Sequence, residues 1–321
     1  MVASGSPTVR RRRLAAELRR LRGNRTGGTV AKALGWSTAK ISRYELGQGG
    51  FPLHEVEKLL DYYGVTEPRR TQLLDLAADA NARGWWEDYA DVMPSDVLDF
   101  IGLEAEADSV AQWQVETIPG LLQTERYAWH VVNAIQSVMP TPPSVIERRV
   151  QVRMIRQKVL TERDPPLELS VILDESALLR EIGGPDVMYE QLTYLAEASE
   201  QNIAEVRILP LRKASSLMAS SFVLFGFNPD PAIRPLGDVV STESLTEHLS
   251  VEGETDTYSY RLLFRALAAS ALSRADSVRL IRKAAERPGS QADETSVNIV
   301  QLGGRGFARG LGFASLEQWI R

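Results

Sequence analysis

Cysteine is absent from all 321 residues. The chain therefore forms no disulfide, offers no thiolate to a metal and has no thiol nucleophile, a composition suited to a reducing cytoplasm. Histidine is nearly absent too. His54, His130 and His248 stand far apart, never at the spacing of metal ligands, so no metal is expected. No run approaches the ~20 apolar residues that a membrane span needs, and no apolar segment follows the N-terminal arginines as a secretory signal would require. A cytoplasmic protein without a membrane partner is the expectation. The "GGRG" at 303–306 fits neither G-x-x-x-x-G-K-[ST] nor G-x-G-x-x-G, so no nucleotide or other cofactor is expected.

Charge is plentiful and unevenly placed. Residues 1–50 hold eleven Lys/Arg against Glu17 and Glu45, a balance of +9, while the other 271 residues carry −14. A cationic head on an acidic body is the electrostatic footprint of a nucleic-acid contact, because neutralising phosphates releases counterions. Arg10, Arg11, Arg12 and Arg13 form the densest part of that charge. They are expected to add sequence-independent DNA affinity.

Leu14, Leu18 and Leu21 fall at i, i+4 and i+7 and predict a first helix, which "GNRTGG" interrupts. "TVAKAL" is a short second helix ending at Gly35, where a left-handed residue is favoured. Ser37 is placed to cap a third helix, "TAKISRYE", with Ile41 and Tyr44 facing inward and Thr38, Lys40 and Arg43 outward. Val56, Leu59, Leu60 and Tyr63 line a fourth, stopped by Gly64. Two short helices joined by a tight Gly-containing turn make a helix-turn-helix, whose second helix lies in the major groove.

"LGWSTAKISRYELGQ" resembles the corresponding stretch of the lambda-repressor-like, or XRE-type, helix-turn-helix family over residues 10–65. The resemblance implies that Thr38, Ala39 and Arg43 read base edges, that Ser37 and Lys40 touch phosphate or base, and that Ile41 is core. Arg43 is the strongest base reader, since a guanidinium bonds bidentately to guanine for ~1–3 kcal/mol of discrimination. Trp36 is expected to pack in the turn. The family usually opens its second helix with a phosphate-anchoring Gln. Here Gly27 and Gly28 stand in that place, and Thr26, Gly27 and Gly28 are expected to hold the phosphate through main-chain N–H groups. Glu45 is paired with Arg22 as a structural ion pair, with Arg20 the other candidate.

Beyond Gly64 a helix is expected over Arg69–Arg83, then others over Ser95–Ala111 and Gln123–Ile135 and a helical stretch to Thr161. "PLELSVILDE", "AEVRILPL" and "SSFVLFGF" read as strands. Helices at 174–182 and 185–200 lie between the first two, and a long helix over 256–286 comes after the last. Trp85, Trp86 and Tyr89 suit either an interface or a plug between head and body. Asp174 and Glu175 form a carboxylate pair at a strand end, where α/β sheets often host sites, yet "DESAL" equally reads as a helix start favoured by acids. No catalytic residue is assigned there, and no enzyme is expected.

"RGWWEDY", "FIGLEAEA", "VETIPGLLQTERYA", "VILDESALLREIGGPDVMYEQLTYL" and "VRILPL" occur in the same order as the motifs of the WhiJ-like actinobacterial regulators, which the chain resembles. This second resemblance spans residues 10–287. It implies a transcriptional regulator, commonly working with a small partner protein encoded nearby in toxin–antitoxin-like arrangements.

The expected fold class is α+β. An all-α helix-turn-helix domain occupies 1–67, a helical connector 68–94, a mixed α/β regulatory domain 95–287, and a linker with a strand-helix tail 288–321. The expected function is sequence-specific binding of double-stranded DNA by a homodimer, as a repressor, with half-sites ~34 Å apart. The alternative is a ligand-sensing transcription factor with a small-molecule pocket in its C-terminal domain.

Overall fold

A computed structural model describes residues 7–137, 139–212, 219–228, 237–244 and 248–287. The tail expected over 288–321 lies outside the described residues. Among the described residues the head consists of five helices: α1 (Pro7–Arg22), α2 (Gly27–Leu34), α3 (Thr38–Glu45), α4 (Leu53–Tyr63) and α5 (Arg69–Ala80). Local chemistry sets their limits. Thr26 caps α2 by accepting from the Thr29 N–H at 3.1 Å, and Gly35 ends it in the left-handed region at φ +67°. Ser37 Oγ accepts from the Lys40 N–H at 3.2 Å and starts α3. Leu14, Leu18, Val30, Ile41, Tyr44, Leu59 and Leu60 close into one core.

That core also takes Leu73, Leu76, Ala77 and Ala80 from α5. The helix expected as part of a connector is thus the fifth helix of the head, and it ends at Ala80 rather than Arg83. Asn81 fastens it: its side chain accepts from the Phe51 N–H at 2.8 Å and donates to the Phe51 carbonyl at 2.6 Å. A short 3-10 turn, Trp85–Tyr89, comes next along the chain. Trp86 is buried with Ile101 and Val152, so this aromatic cluster packs against the helices that follow it rather than between head and body. A Cβ on Gly84 would fall 2.3 Å from the Trp86 ring, which is why glycine stands there.

The body runs α6 (Ser95–Glu106), β1 (Ser109–Gln114), α7 (Glu125–Asn133), α8 (Pro143–Arg156), β2 (Glu168–Asp174), α9 (Ser176–Leu179), α10 (Pro185–Glu200), β3 (Glu205–Leu209), β4 (Phe222–Gly226), β5 (Val239–Glu243), β6 (His248–Glu252), α11 (Glu254–Ser270) and α12 (Arg274–Ala285). The six described strands form one mixed sheet in the order β3-β2-β1-β4-β5-β6. β1, β2 and β3 run parallel, and β4, β5 and β6 add antiparallel. Val171, Leu173, Val206 and Phe225 face a core shared with Leu103 of α6, Leu192 of α10 and Ile281 of α12. Ile172, Leu224 and Val240 face the other way, onto Leu267 of α11. The class is α+β, as expected.

Three segments differ from the sequence reading. The helix expected to Ala111 stops at Glu106, and Ser109–Gln114 is instead a central strand, with Val110 and Trp113 feeding opposite faces of the sheet. β5 and β6 are strands that no sequence pattern announces. The helix expected over 256–286 is two helices, because Leu272 breaks away to donate its N–H to the Ile208 carbonyl at 2.8 Å. Ser277 Oγ accepts from the Ile208 N–H at 2.9 Å, so the outer edge of β3 is covered.

α1 belongs to both halves. Its first turn enters the body, where Val9 is fully buried in the core that holds Leu103 and Phe225. Thr8 sits directly on Gly102 of α6, where a Cβ would fall 2.1 Å from Thr8 Oγ1. Its remaining turns carry Leu14, Ala15 and Leu18 into the head core.

Candidate nucleic-acid interface

The cap at Ser37 exposes the beginning of α3. Ser37, Thr38, Ala39 and Arg43 are exposed, while Ile41 and Tyr44 anchor the helix from behind. Among the described residues Arg43 forms no ion pair, so its guanidinium is available to an external acceptor. Trp36 packs in the turn as expected, 5.9 Å from the Tyr44 ring. Thr26 and Gly28 are exposed at the start of α2, and Gly27 is half-buried. A Cβ at Gly27 would make only ordinary contacts with Thr38 and Ile41. Open N–H groups at a helix start favour an anion.

Arg22 Nε donates to Glu45 Oε1 at 2.6 Å. Arg20, the other candidate, instead donates to Glu17, whose carboxylate also accepts from Arg69 at 2.8 Å. Glu17 is only 3% exposed, a buried acid that no motif or spacing singles out. Burial alone would raise its pKa, but the hydrogen bonds from Arg69 and Arg20 outweigh this and hold it below the usual carboxylate value.

Arg10, Arg11, Arg12 and Arg13, expected to add sequence-independent DNA affinity, instead have partners within the protein. Arg10 pairs with Asp79 of α5. Arg11 donates to the Ala80 carbonyl at 2.8 Å and reaches Glu87 at 3.5 Å. Arg12 pairs with Glu252 of β6 and lies 3.7 Å from Asp99 of α6, and Arg13 donates to the Asn228 carbonyl at 3.4 Å. These side chains tie the first turns of α1 to α5 and the body. Burial lowers the Arg12 pKa despite Asp99, and burial raises that of Asp99.

Lys40 also differs from the outward-facing residue expected. It is half-buried, with Nζ 2.5 Å from Glu55 Oε1 and 4.2 Å from the centre of the Trp36 ring. A cavity of about 250 Å³ beside α3 is lined by Lys40, Arg43, Tyr44, Gln48 and Glu55. A wider cleft of about 840 Å³ lies across the α3–α4 turn, between Arg19 and Arg20 of α1 and the body residues Asp99 and Glu252. Gln48 and Gly49 border both cavities.

The other motifs take structural places. Asp174 Oδ1 accepts from the Ser176 N–H at 2.9 Å and Glu175 Oε2 from the Leu211 N–H at 2.9 Å. In "IPGLLQT", Gln123 donates to the Ile118 carbonyl at 2.7 Å and accepts from Arg153 at 2.9 Å. Among the described residues no group of three or more His, Asp or Glu is placed to hold a metal ion, and no helix is long and apolar enough to cross a membrane.

Neither curated proteins nor solved structures include a match to this chain. Two family descriptions do match. A helix-turn-helix domain covers residues 13–73, spanning α2, α3 and α4 and most of α1. Such a domain is a DNA-binding module of XRE-like regulators, and α3 is the second helix of the helix-turn-helix unit within it. A domain of unknown function, DUF5753, covers residues 97–283, more than half of the chain. The chain therefore belongs to the DUF5753 family and carries a helix-turn-helix DNA-binding domain ahead of that region.

Proposed function

We propose that this protein is a sequence-specific transcriptional repressor of the WhiJ-like kind, acting in the cytoplasm and without enzymatic activity. The observation that carries the reading is the exposed start of α3 inside the matched helix-turn-helix region, with Thr38, Ala39 and an Arg43 that has no ion pair among the described residues. Arg43 reads a guanine and Thr38 and Ala39 the neighbouring base edges. Ser37 and the main-chain N–H groups of Gly27 and Gly28, with Thr26 beside them, hold phosphates. One short helix reads few bases, so the protein acts as a homodimer on two half-sites. The body supplies the dimer contact and a surface for a small partner protein; this part rests on the ordered motifs from "RGWWEDY" to "VRILPL".

The test is selection of duplexes from a random-sequence pool by the intact chain and by Arg43→Ala. The variant is expected to stay folded, because Arg43 is exposed, and to lose preference at one position per half-site. Unchanged selectivity would refute the assignment of Arg43. Size measurement by light scattering and identification of proteins recovered with the chain test the dimer and the partner.

A further inference from the structure

Glu55 stands in the first turn of α4, outside the recognition helix. Its carboxylate accepts from two α3 side chains at once: Lys40 Nζ approaches Oε1 at 2.5 Å, and the Tyr44 hydroxyl donates to Oε2. The Trp36 ring, 4.2 Å from Nζ, closes the other side of the ammonium. Lys40 is thereby compensated by one anion and one aromatic face, and it is directed toward α4. Arg43, three residues on, is exposed and forms no ion pair among the described residues. α3 contains two cations, and the fold silences one of them.

A lysine on the groove side of a recognition helix adds affinity for any phosphate and carries little sequence information, whereas an arginine can address guanine bidentately. We propose that Glu55 is a specificity-setting residue of the head: by holding Lys40 against α4 it keeps a sequence-blind cation off the DNA and leaves Arg43 as the α3 cation that meets it. This rests on the DNA-binding reading above. Burial would raise the Glu55 pKa, but the hydrogen bonds from Lys40 and Tyr44 more than offset that, so the carboxylate is ionised at neutral pH and able to hold the ammonium. An acid in the first turn of α4 also suits the helix dipole, and a purely structural role makes different predictions.

The experiment measures binding of the intact chain to a labelled mixed-sequence duplex, and to the tightest duplex recovered by selection, across a salt series. Glu55→Gln retains an acceptor for Tyr44 and removes the charge. It is expected to bind the mixed-sequence duplex more tightly and to steepen the log–log salt slope by about 0.9. Between about 50 and 200 mM salt this changes its affinity relative to wild type by a factor of roughly 3.5. The gap between selected and mixed duplexes narrows. Lys40→Met should leave the wild-type slope unchanged, and in that background Glu55→Gln should steepen nothing. Steepening that persists without Lys40 would mean that Glu55 merely repels phosphate, and would overturn the proposal. So would a Lys40→Met slope flatter by about 0.9, since Lys40 would then already be on the DNA. If Glu55→Gln does not fold, the Lys40→Met slope alone decides. Wild-type protein that binds neither duplex would refute the DNA-binding reading itself, a result distinct from the other two.

Discussion

Replacing Gly102 by alanine should loosen the joint between head and body. The added Cβ would lie 2.1 Å from Thr8 Oγ1 and 2.7 Å from Thr8 Cβ. Carbon atoms in contact sit about 3.5–4.0 Å apart, so one helix must retreat by roughly 1 Å. Thr8 Cβ is fixed to the backbone of α1, and rotating the Thr8 side chain cannot relieve that contact. The retreat draws the neighbouring Val9, fully buried in the body core, partly out of its place. Overpacking costs about 1–3 kcal/mol, and partial exposure of a buried valine adds about 1 kcal/mol. Alanine in place of a helical glycine returns about 1 kcal/mol. A net loss of about 1–3 kcal/mol is expected, read by urea unfolding with the six tryptophans as reporters. Thr8→Gly in the same chain removes all the crowded atoms and should restore most of the loss, while Thr8→Ala keeps the 2.7 Å contact and should not. A Gly102→Ala chain as stable as wild type, or more so, would refute the close crossing of α1 and α6.

Charges inside the fold carry further consequences. Glu17 has a folded pKa below its ordinary value of 4.5. Its contribution is therefore fully present above that value and is lost as the pH falls through the lower, folded pKa. Glu17→Gln should lower stability at neutral pH and flatten the acid limb of the stability–pH curve; an unchanged limb would deny the triad with Arg20 and Arg69. Arg12→Gln should cost no more than about 1 kcal/mol, since Glu252 and Asp99 are both exposed and water replaces the lost partner, and should leave the salt slope of duplex binding where it was. Unchanged stability with a slope flatter by about 0.9 would return Arg12 to the DNA face.

The head was legible because its determinants are local. Ser37 caps α3, Gly35 stops α2, Gly64 stops α4, and Leu14 with Leu18 marks a buried stripe. The helix-turn-helix resemblance narrowed the partner of Glu45 to Arg22 or Arg20, and the structure selects Arg22. Partners in distant segments were invisible. The arginine run announces its charge, but Asp79, Glu87, Asp99 and Glu252 come close only after α5, the Trp85–Tyr89 turn, α6 and β6 have packed. Lys40 points outward on a helical wheel, and nothing in α3 reveals that α4 brings Glu55 beneath it. β1 failed for a related reason. "LEAEADSVAQWQ" is rich in Ala, Glu and Gln, good helix formers, and a strand arises there because β2 and β4 pair with it on both sides.

The same long-range pairs bear on how the body can govern DNA binding. A head on a flexible tether would tolerate many half-site spacings. Here α1 runs through both cores, and Arg11, Arg12 and Arg13 fix its first turns to Glu87, Glu252 and Asn228. In the dimer we propose, the separation of two recognition helices is therefore set by how the bodies meet. The path from body to α3 is short: Val9 lies in the body core, while Leu14 and Leu18 of the same helix share a core with Ile41 and Tyr44. Within one protomer, a partner that binds the body can shift α3 through this path only if it distinguishes two positions of α1. The crossing at Thr8 and Gly102 is where those positions would differ, because it has no slack to absorb a shift.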